Sequence, residues 1–282
     1  MYPIGISTCG APVTPAMLTA IRDAGITHIE LSYNKAAYDG MDVAATADMI
    51  RAHGLVMHSL HLPFSRELDV SLPDPTLRGA VMTCHTDLMK RGAAAGIATF
   101  VIHPSSEPIA DDDRSARMAQ AKESLAILAE LAESLGVTLA VEDLPRTCLG
   151  NCSADMCELL AAHPVLRSCF DTNHLLGEDA GDYIRAVGDR IVTTHVSDYD
   201  FINERHWLPG EGKQDFLAIL SMLREVGYAG PWLYELGLSA PKSINRPREL
   251  TYADFGENGR TLLTGTCPAP LGTPVAGLGM WA

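Results

Sequence analysis

The sequence predicts an α/β protein built as one parallel (β/α)₈ barrel with an irregular C-terminal tail, and three observations carry that reading. Eight short apolar runs alternate with helical stretches along the chain. Helical stretches end repeatedly in Gly followed by an apolar or β-branched run, at Gly25, Gly54, Gly96, Gly136 and Gly227. Glycine takes the left-handed conformation that stops a helix without a Cβ penalty, so each junction reads as helix end and then strand. Seven of the runs contain or end in a polar residue that apolar packing does not require.

The elements follow in order. Strands are expected at residues 4–7, 28–31, 56–61, 100–103, 138–142, 169–171, 191–195 and 232–235. Continuous short apolar runs of this kind are what strands buried on both faces look like, as in parallel sheets. Thr14-Pro15 and Asp74-Pro75 each put an N-cap residue ahead of a proline at the first helical position. Residues 113–135 carry Met118, Ala121, Leu125, Leu128, Ala132 and Leu135 at three- and four-residue spacing, an amphipathic helix. Ser153 is expected to cap a helix ending near His163. No linker divides residues 1–263, which are taken as one barrel. Residues 264–282 are rich in Gly and Pro without a period and read as an irregular tail that wraps the barrel or a partner subunit, which leaves a homo-oligomer open. A doubly wound open sheet is the alternative, and no G-x-G-x-x-G follows any strand to support it.

Composition narrows the class. The chain has 282 residues, 47% of them hydrophobic, and its mean hydropathy is +0.07. That is enough apolar material for a large core and too much for disorder. A single α/β barrel of about 250 residues accommodates the length. No basic n-region with an apolar h-region opens the sequence and no uncharged run approaches the ~20 residues of a membrane span, so a cytoplasmic protein with no membrane partner is expected. The seven cysteines lack a C-x-x-C clip and read as reduced thiols. A net charge of −14 without a basic cluster argues against nucleic acid as a partner.

The polar residues are Glu30, His61, His103, Glu142, Asp171, His195 and Glu235. In a parallel barrel all strand C-termini open on one face, so residues far apart in sequence meet there. Any one alone reads as a hydrogen-bonded core histidine or a solvated glutamate. Together Glu142, Asp171, His195 and Glu235 make three carboxylates and one imidazole, a set whose mutual repulsion a divalent cation would relieve. The oxygen-rich set without thiolate points to Mn²⁺ or Mg²⁺ ahead of Zn²⁺ or Co²⁺.

Ordered along the chain are His61-Leu62-Pro63, His103-Pro104, Val141-Glu142-Asp143, Phe170-Asp171-Thr172-Asn173-His174, Thr194-His195-Val196-Ser197-Asp198, Pro209-Gly210-Glu211-Gly212 and Leu233-Tyr234-Glu235. Over residues 3–263 this set resembles the xylose-isomerase-like TIM barrel superfamily, and within it the sugar phosphate isomerase/epimerase group with the ketose 3-epimerases and hydroxypyruvate isomerase. The resemblance implies that Glu142, Asp171, His195 and Glu235 hold the metal and that Glu142 and Glu235 also carry protons. It implies that His61, His103, His174 and Arg205 bind a small carbohydrate, Arg205 at a spacing from His195 that does not match the group closely. The implied reaction is epimerisation or isomerisation, by proton transfer through an enediolate stabilised by the metal. An inosose-type dehydratase is one alternative. Another is the endonuclease IV type of phosphodiesterase, whose multi-zinc pattern is largely matched by His61, His103, Glu142, Asp171, His174, His195, His206 and Glu235 but has Asp where this chain has Glu204. A barrel that binds without turnover would be marked by loss of a ligand, and all four are present.

Overall fold

The computed structural model describes residues 1–280. Eight strands, β1 (Ile4–Ser7), β2 (His28–Ser32), β3 (Val56–His61), β4 (Thr99–Ile102), β5 (Thr138–Glu142), β6 (Arg167–Asp171), β7 (Ile191–His195) and β8 (Trp232–Tyr234), form one sheet in the order β7-β6-β5-β4-β3-β2-β1-β8. Every pairing along it is parallel. The ring closes just above the last two strands, where Val196 N donates to Leu233 O at 2.8 Å and Glu235 N to Val196 O at 3.2 Å.

Helices α1 (Pro15–Asp23), α2 (Lys35–Asp39), α3 (Val43–Ala52), α4 (Pro75–Ala94), α5 (Asp111–Leu135), α6 (Ser153–Leu160), α7 (Ala180–Val187), α8 (Phe216–Glu225) and α9 (Tyr252–Leu263) fill the connections. The capping chemistry is as the sequence implies: Thr14 accepts from Met17 N, and Asp74 from Thr76 N and Leu77 N. The five junction glycines have φ between 68° and 79°. Along α5, Met118, Ala121, Leu125, Leu128 and Ala132 are buried, each large side chain contributing roughly 1.5–3 kcal/mol by leaving water.

The expected strands 4–7, 56–61, 138–142 and 191–195 match residue for residue, and the other four differ by one or two positions. Two expectations are corrected. α6 ends at Leu160, and its N-cap is Cys152, without a side-chain cap bond; Ser153 is the first helical residue, with its hydroxyl and its N–H both on Glu178. The tail is not wholly irregular, because Thr273–Pro274 (β10) pairs antiparallel with Ile244–Asn245 (β9). It lies over the rim of its own barrel: Glu211 accepts from Gly272 N at 2.8 Å and Arg205 donates to Gly279 O at 2.8 Å.

What positions the site is the two-residue alternation of the strands. Phe100, Leu139, Val141 and Phe170 face outward into the main core under the helices, whereas Val101, Ala140 and Cys169 form a separate small cluster inside the ring. Two residues further along the same inward rows stand His103, Glu142 and Asp171. Small side chains thus floor the barrel and leave room above them. On β1 the inward residue is Gly5, where a Cβ would sit 3.1 Å from the Leu233 side chain. No helix among the described residues is long and apolar enough to cross a membrane, and all seven cysteines are free.

Candidate metal centre and active site

Glu142 from β5, Asp171 from β6, His195 from β7 and Glu235 just past β8 present ligand atoms that all lie within 4.8 Å of one another. Glu142, Asp171 and His195 each have one atom tied by the fold and one aimed at the cluster. Asp171 Oδ1 accepts from Asn173 N at 2.7 Å, while its Oδ2 is buried and accepts no hydrogen bond. His195 Nδ1 lies 3.0 Å from Glu142 Oε1 and 3.2 Å from Glu235 Oε2, and its Nε2 lies 3.0 and 3.2 Å from the two oxygens of Glu30. Glu30, midway along β2 and fully buried, also accepts from Ser59 Oγ at 2.8 Å. A carboxylate on the far nitrogen fixes the tautomer whose near nitrogen carries a lone pair, the arrangement metal-binding histidines use.

The electrostatics describe four groups in conflict. Burial raises the Asp171 pKa to about 7, opposed by His174 and reinforced by Glu235 and Glu142. Burial works to raise Glu142 and Glu235 as well, yet His195 holds Glu235 down at about 2, and His195 with His103 holds Glu142 well below the ordinary carboxylate range. Against the cost of burial, Cys169 and the carboxylates Glu235, Glu30 and Glu142 push His195 well above the usual imidazole value. Protons on Asp171 and His195 therefore balance the cluster, and a divalent ion would take over that part by displacing them. An orphaned carboxylate oxygen, a preset imidazole and an excess of negative charge fit a hard divalent cation.

Glu142 and Glu235 line a cavity of ≈ 680 Å³ at the C-terminal rim, together with His103, His174, Phe64 and Arg146. His61 is not among its walls: it is 1% exposed, with Nε2 2.9 Å from Glu142 Oε2 and Nδ1 2.8 Å from Leu62 O, so it acts on Glu142 from behind. His103 Nε2 reaches the same Glu142 oxygen at 3.2 Å. His174 Nδ1 donates to Asp143 O at 2.7 Å, with Asp171 Oδ2 3.5 Å away as a charged neighbour rather than a hydrogen-bond acceptor, and Nε2 faces Glu204 at 3.3 Å. Burial works to lower its pKa, but Asp171 and Glu204 hold it well above normal. Arg205 does not line this cavity; its Nε donates to Asp200 at 3.0 Å and its Nη2 to the tail carbonyl of Gly279.

Several wall residues escaped the sequence reading. Phe64, 48% exposed, stacks on His103 with ring centroids 4.0 Å apart. Arg146 forks onto Glu107 and also meets Glu204 and Asn203. Backbone strain was invisible too: Cys9, Arg146 and His206 line the cavity at φ of 44°, 55° and 52°, a conformation that costs an L residue roughly 1–2 kcal/mol. Strain of this kind concentrates where function fixes the backbone.

The sequence profile of the family described as "Xylose isomerase-like TIM barrel" matches residues 18–253. Among curated proteins, the chain is 31% identical over 132 residues to fructoselysine 3-epimerase of Escherichia coli O157:H7, covering 45% of this chain and 47% of that one. It is 28% identical over 205 residues to ketose 3-epimerase of Arthrobacter globiformis, covering 69% and 68%. The chain thus spans about half the length of the first of these relatives. A solved D-tagatose 3-epimerase-like protein superposes with a TM-score of 0.78 at 20% identity, over 94% of this chain and 96% of that one; at that identity the likeness speaks for the fold alone. With a profile that spans most of its length and a parallel barrel carrying the site on its C-terminal rim, the chain belongs to the xylose isomerase-like TIM barrel family.

Proposed function

We propose that this chain is a divalent-metal-dependent epimerase or isomerase of a small keto sugar, a sugar phosphate or a related keto-polyol. The observation that carries the reading is that two carboxylates of the four-residue cluster, Glu142 and Glu235, also line the cavity, from strands set apart on the ring. A bound chain would have a carboxylate oxygen on each of two sides. The activities in the names of the curated relatives, both 3-epimerases, support the same chemistry.

Glu142, Asp171, His195 and Glu235 would hold the ion, Mn²⁺ suiting the oxygen-rich set best, with Mg²⁺, Co²⁺ and Zn²⁺ as the other candidates. When bound, it supplies Lewis acidity that makes a C–H beside a carbonyl more acidic. The protein groups do the rest. Glu142 and Glu235 each offer a carboxylate oxygen: one removes the proton beside the carbonyl and later releases it to solvent, while the other takes up a proton from solvent and delivers it to the carbanion carbon. Return on the opposite face gives the epimer; return at the neighbouring carbon gives the isomer. His103, whose pKa burial lowers against the pull of Glu142, forms with Phe64 an aromatic wall for the sugar chain. His174, held well above the usual imidazole value, adds positive charge to the lining of the same cavity.

The test is to incubate metal-loaded protein in D₂O with ketoses, ketose phosphates, inososes and hydroxypyruvate and to follow product and label by NMR. Epimeric or isomeric product carrying solvent deuterium beside the carbonyl is expected. Full retention of the migrating hydrogen would replace proton transfer by a hydride shift, loss of water would favour the dehydratase, and no turnover of any of these would overturn the reading.

A second reading, phosphodiester hydrolysis of the endonuclease IV type, has one observation in its favour. Two further groups with ligand spacing, His61–His103–Glu142 and His174–Glu204–His206, flank the first. The charge of −14 opposes a polyanion. Three ions per chain with incision of abasic DNA would promote this reading; one ion per chain and intact DNA would dismiss it.

A further inference from the structure

Beyond the cavity that holds the cluster lies a second, outer chamber of ≈ 790 Å³. The two share Glu107 and Arg146 as walls. Either volume alone falls within the roughly 300–1,000 Å³ that encloses a whole small-molecule ligand, so a free monosaccharide at the cluster would leave the outer chamber to water. Arg146 partitions the two: it is half-buried and held by Glu107, Glu204 and Asn203, and its carbonyl accepts from Asn151 Nδ2 at 2.5 Å. Since Arg146 neutralises Glu107, the charge in the outer chamber is set by Arg66. That side chain is exposed, its Nε donates to Glu107 O at 3.1 Å, and among the described residues its terminal nitrogens make no ion pair. Pro108, Leu176 and Met280 supply apolar surface on the remaining wall.

We propose that the substrate is a ketose carrying a second, covalently attached moiety that ends in an oxyanion, carboxylate or phosphate. The ketose carbons lie at the cluster, the attached group passes the Glu107–Arg146 partition into the outer chamber, and its anionic end meets Arg66. This rests on the epimerase reading of the inner site and adds to it the class of substrate. The C-terminal tail, whose Met280 forms part of the chamber, is then a specificity element as well as a strap.

The test compares kcat/KM of the metal-loaded full chain on four keto sugars: a free ketose, the same ketose as its phosphate, joined through nitrogen to an amino acid, and joined to an uncharged sugar. One or both anionic forms are expected to exceed the free ketose by at least about tenfold, mostly through KM, since a charge-assisted hydrogen bond is typically worth that much or more. Which of the two gains tells phosphate from carboxylate. Arg66→Met is expected to erase the gain. Gly177 lines only the outer chamber, and a Cβ there meets nothing within 4 Å, so Gly177→Phe should fill the space and cut the ratio of anionic to free substrate at least tenfold while metal content stays the same. Equal use of all four sugars with neither variant moving the ratio overturns the proposal and leaves the epimerase standing. A preference for the uncharged conjugate overturns the anionic end. Turnover of none, free ketose included, overturns the epimerase reading and this proposal with it.

Discussion

Glu30→Gln probes how the barrel presets His195 for its proposed part as a metal ligand. Glu30 is fully buried, 3.0 and 3.2 Å from His195 Nε2, and its other partner is the Ser59 hydroxyl at 2.8 Å. With a carboxylate on Nε2, the proton of a neutral His195 stays there and Nδ1 turns its lone pair toward Glu142 and Glu235. A glutamine of the same shape can turn its amide NH₂ to Nε2, which favours the other tautomer and points an N–H into the cluster. Loss of such a supporting carboxylate typically costs about 10- to 100-fold in metal affinity, or about 1.4–2.7 kcal/mol. A hydrogen bond to a charged group, worth about 1.5–3 kcal/mol, gives the same range independently. The assay is calorimetric titration of chelator-stripped protein with Mn²⁺, alongside urea unfolding without metal. Weakened binding with one site per chain is expected. Wild-type affinity in Glu30→Gln, or a loss seen only in metal-free stability, would refute the reasoning.

Further outcomes follow from the same geometry. Because Asp171 carries its proton up to about pH 7, Mn²⁺ affinity should fall as pH drops below 7, by up to about tenfold per unit from this group; competition titrations between pH 5 and 8 measure it. The sign reverses for the metal-free protein: a carboxyl raised from an unfolded value of about 3.9 binds its proton more tightly when folded, so its contribution to stability is full below pH 4 and is lost as pH rises to 7, which unfolding at several pH values checks. Phe64→Ala should raise KM several-fold, about 0.5–1.5 kcal/mol of ring contact being lost, with metal content intact. Arg205→Met should lower melting temperature by freeing Asp200 and the Gly279 carbonyl while KM changes little; a large KM effect with unchanged stability would instead put Arg205 on the substrate.

The parts of the fold legible in the sequence were those fixed by local chemistry. The five Gly junctions and the Thr14 and Asp74 caps punctuate the chain because left-handed backbone and unpaired helical N–H groups demand those residue types. The cluster was legible because all strand C-termini of a parallel barrel open on one face, whereas the small floor of Ala140 and Cys169 beneath Glu142 and Asp171 emerged only from the structure. Less visible was anything decided by contacts across the rim. Thr273–Pro274 is too short to show a period and is held by Ile244–Asn245 and by Glu211 below it. Arg205 looks like a cavity residue in sequence, but Asp200 and the tail take up its guanidinium. Arg146, which does line the cavity, follows Pro145 in a loop with no motif to single it out. His61 sits in the right register, yet its Nδ1 is held by Leu62 O and its Nε2 by Glu142, turning it into a support for Glu142.

The central claim is that Glu142 and Glu235 are both metal ligands and separate proton carriers. It is tested most directly by following solvent deuterium into a turned-over ketose with Glu142→Gln and Glu235→Gln, each first assayed for metal. Glutamine keeps an oxygen for the ion and removes the basic one, so weakened but persistent metal binding is expected, with turnover down by about 10²- to 10⁴-fold or more, the usual worth of a general acid or base. One of the two variants should still exchange the substrate C–H with solvent while making no product, because its remaining glutamate serves a single half-step. Near-normal turnover in both variants, or product formed without any solvent deuterium, would contradict the account.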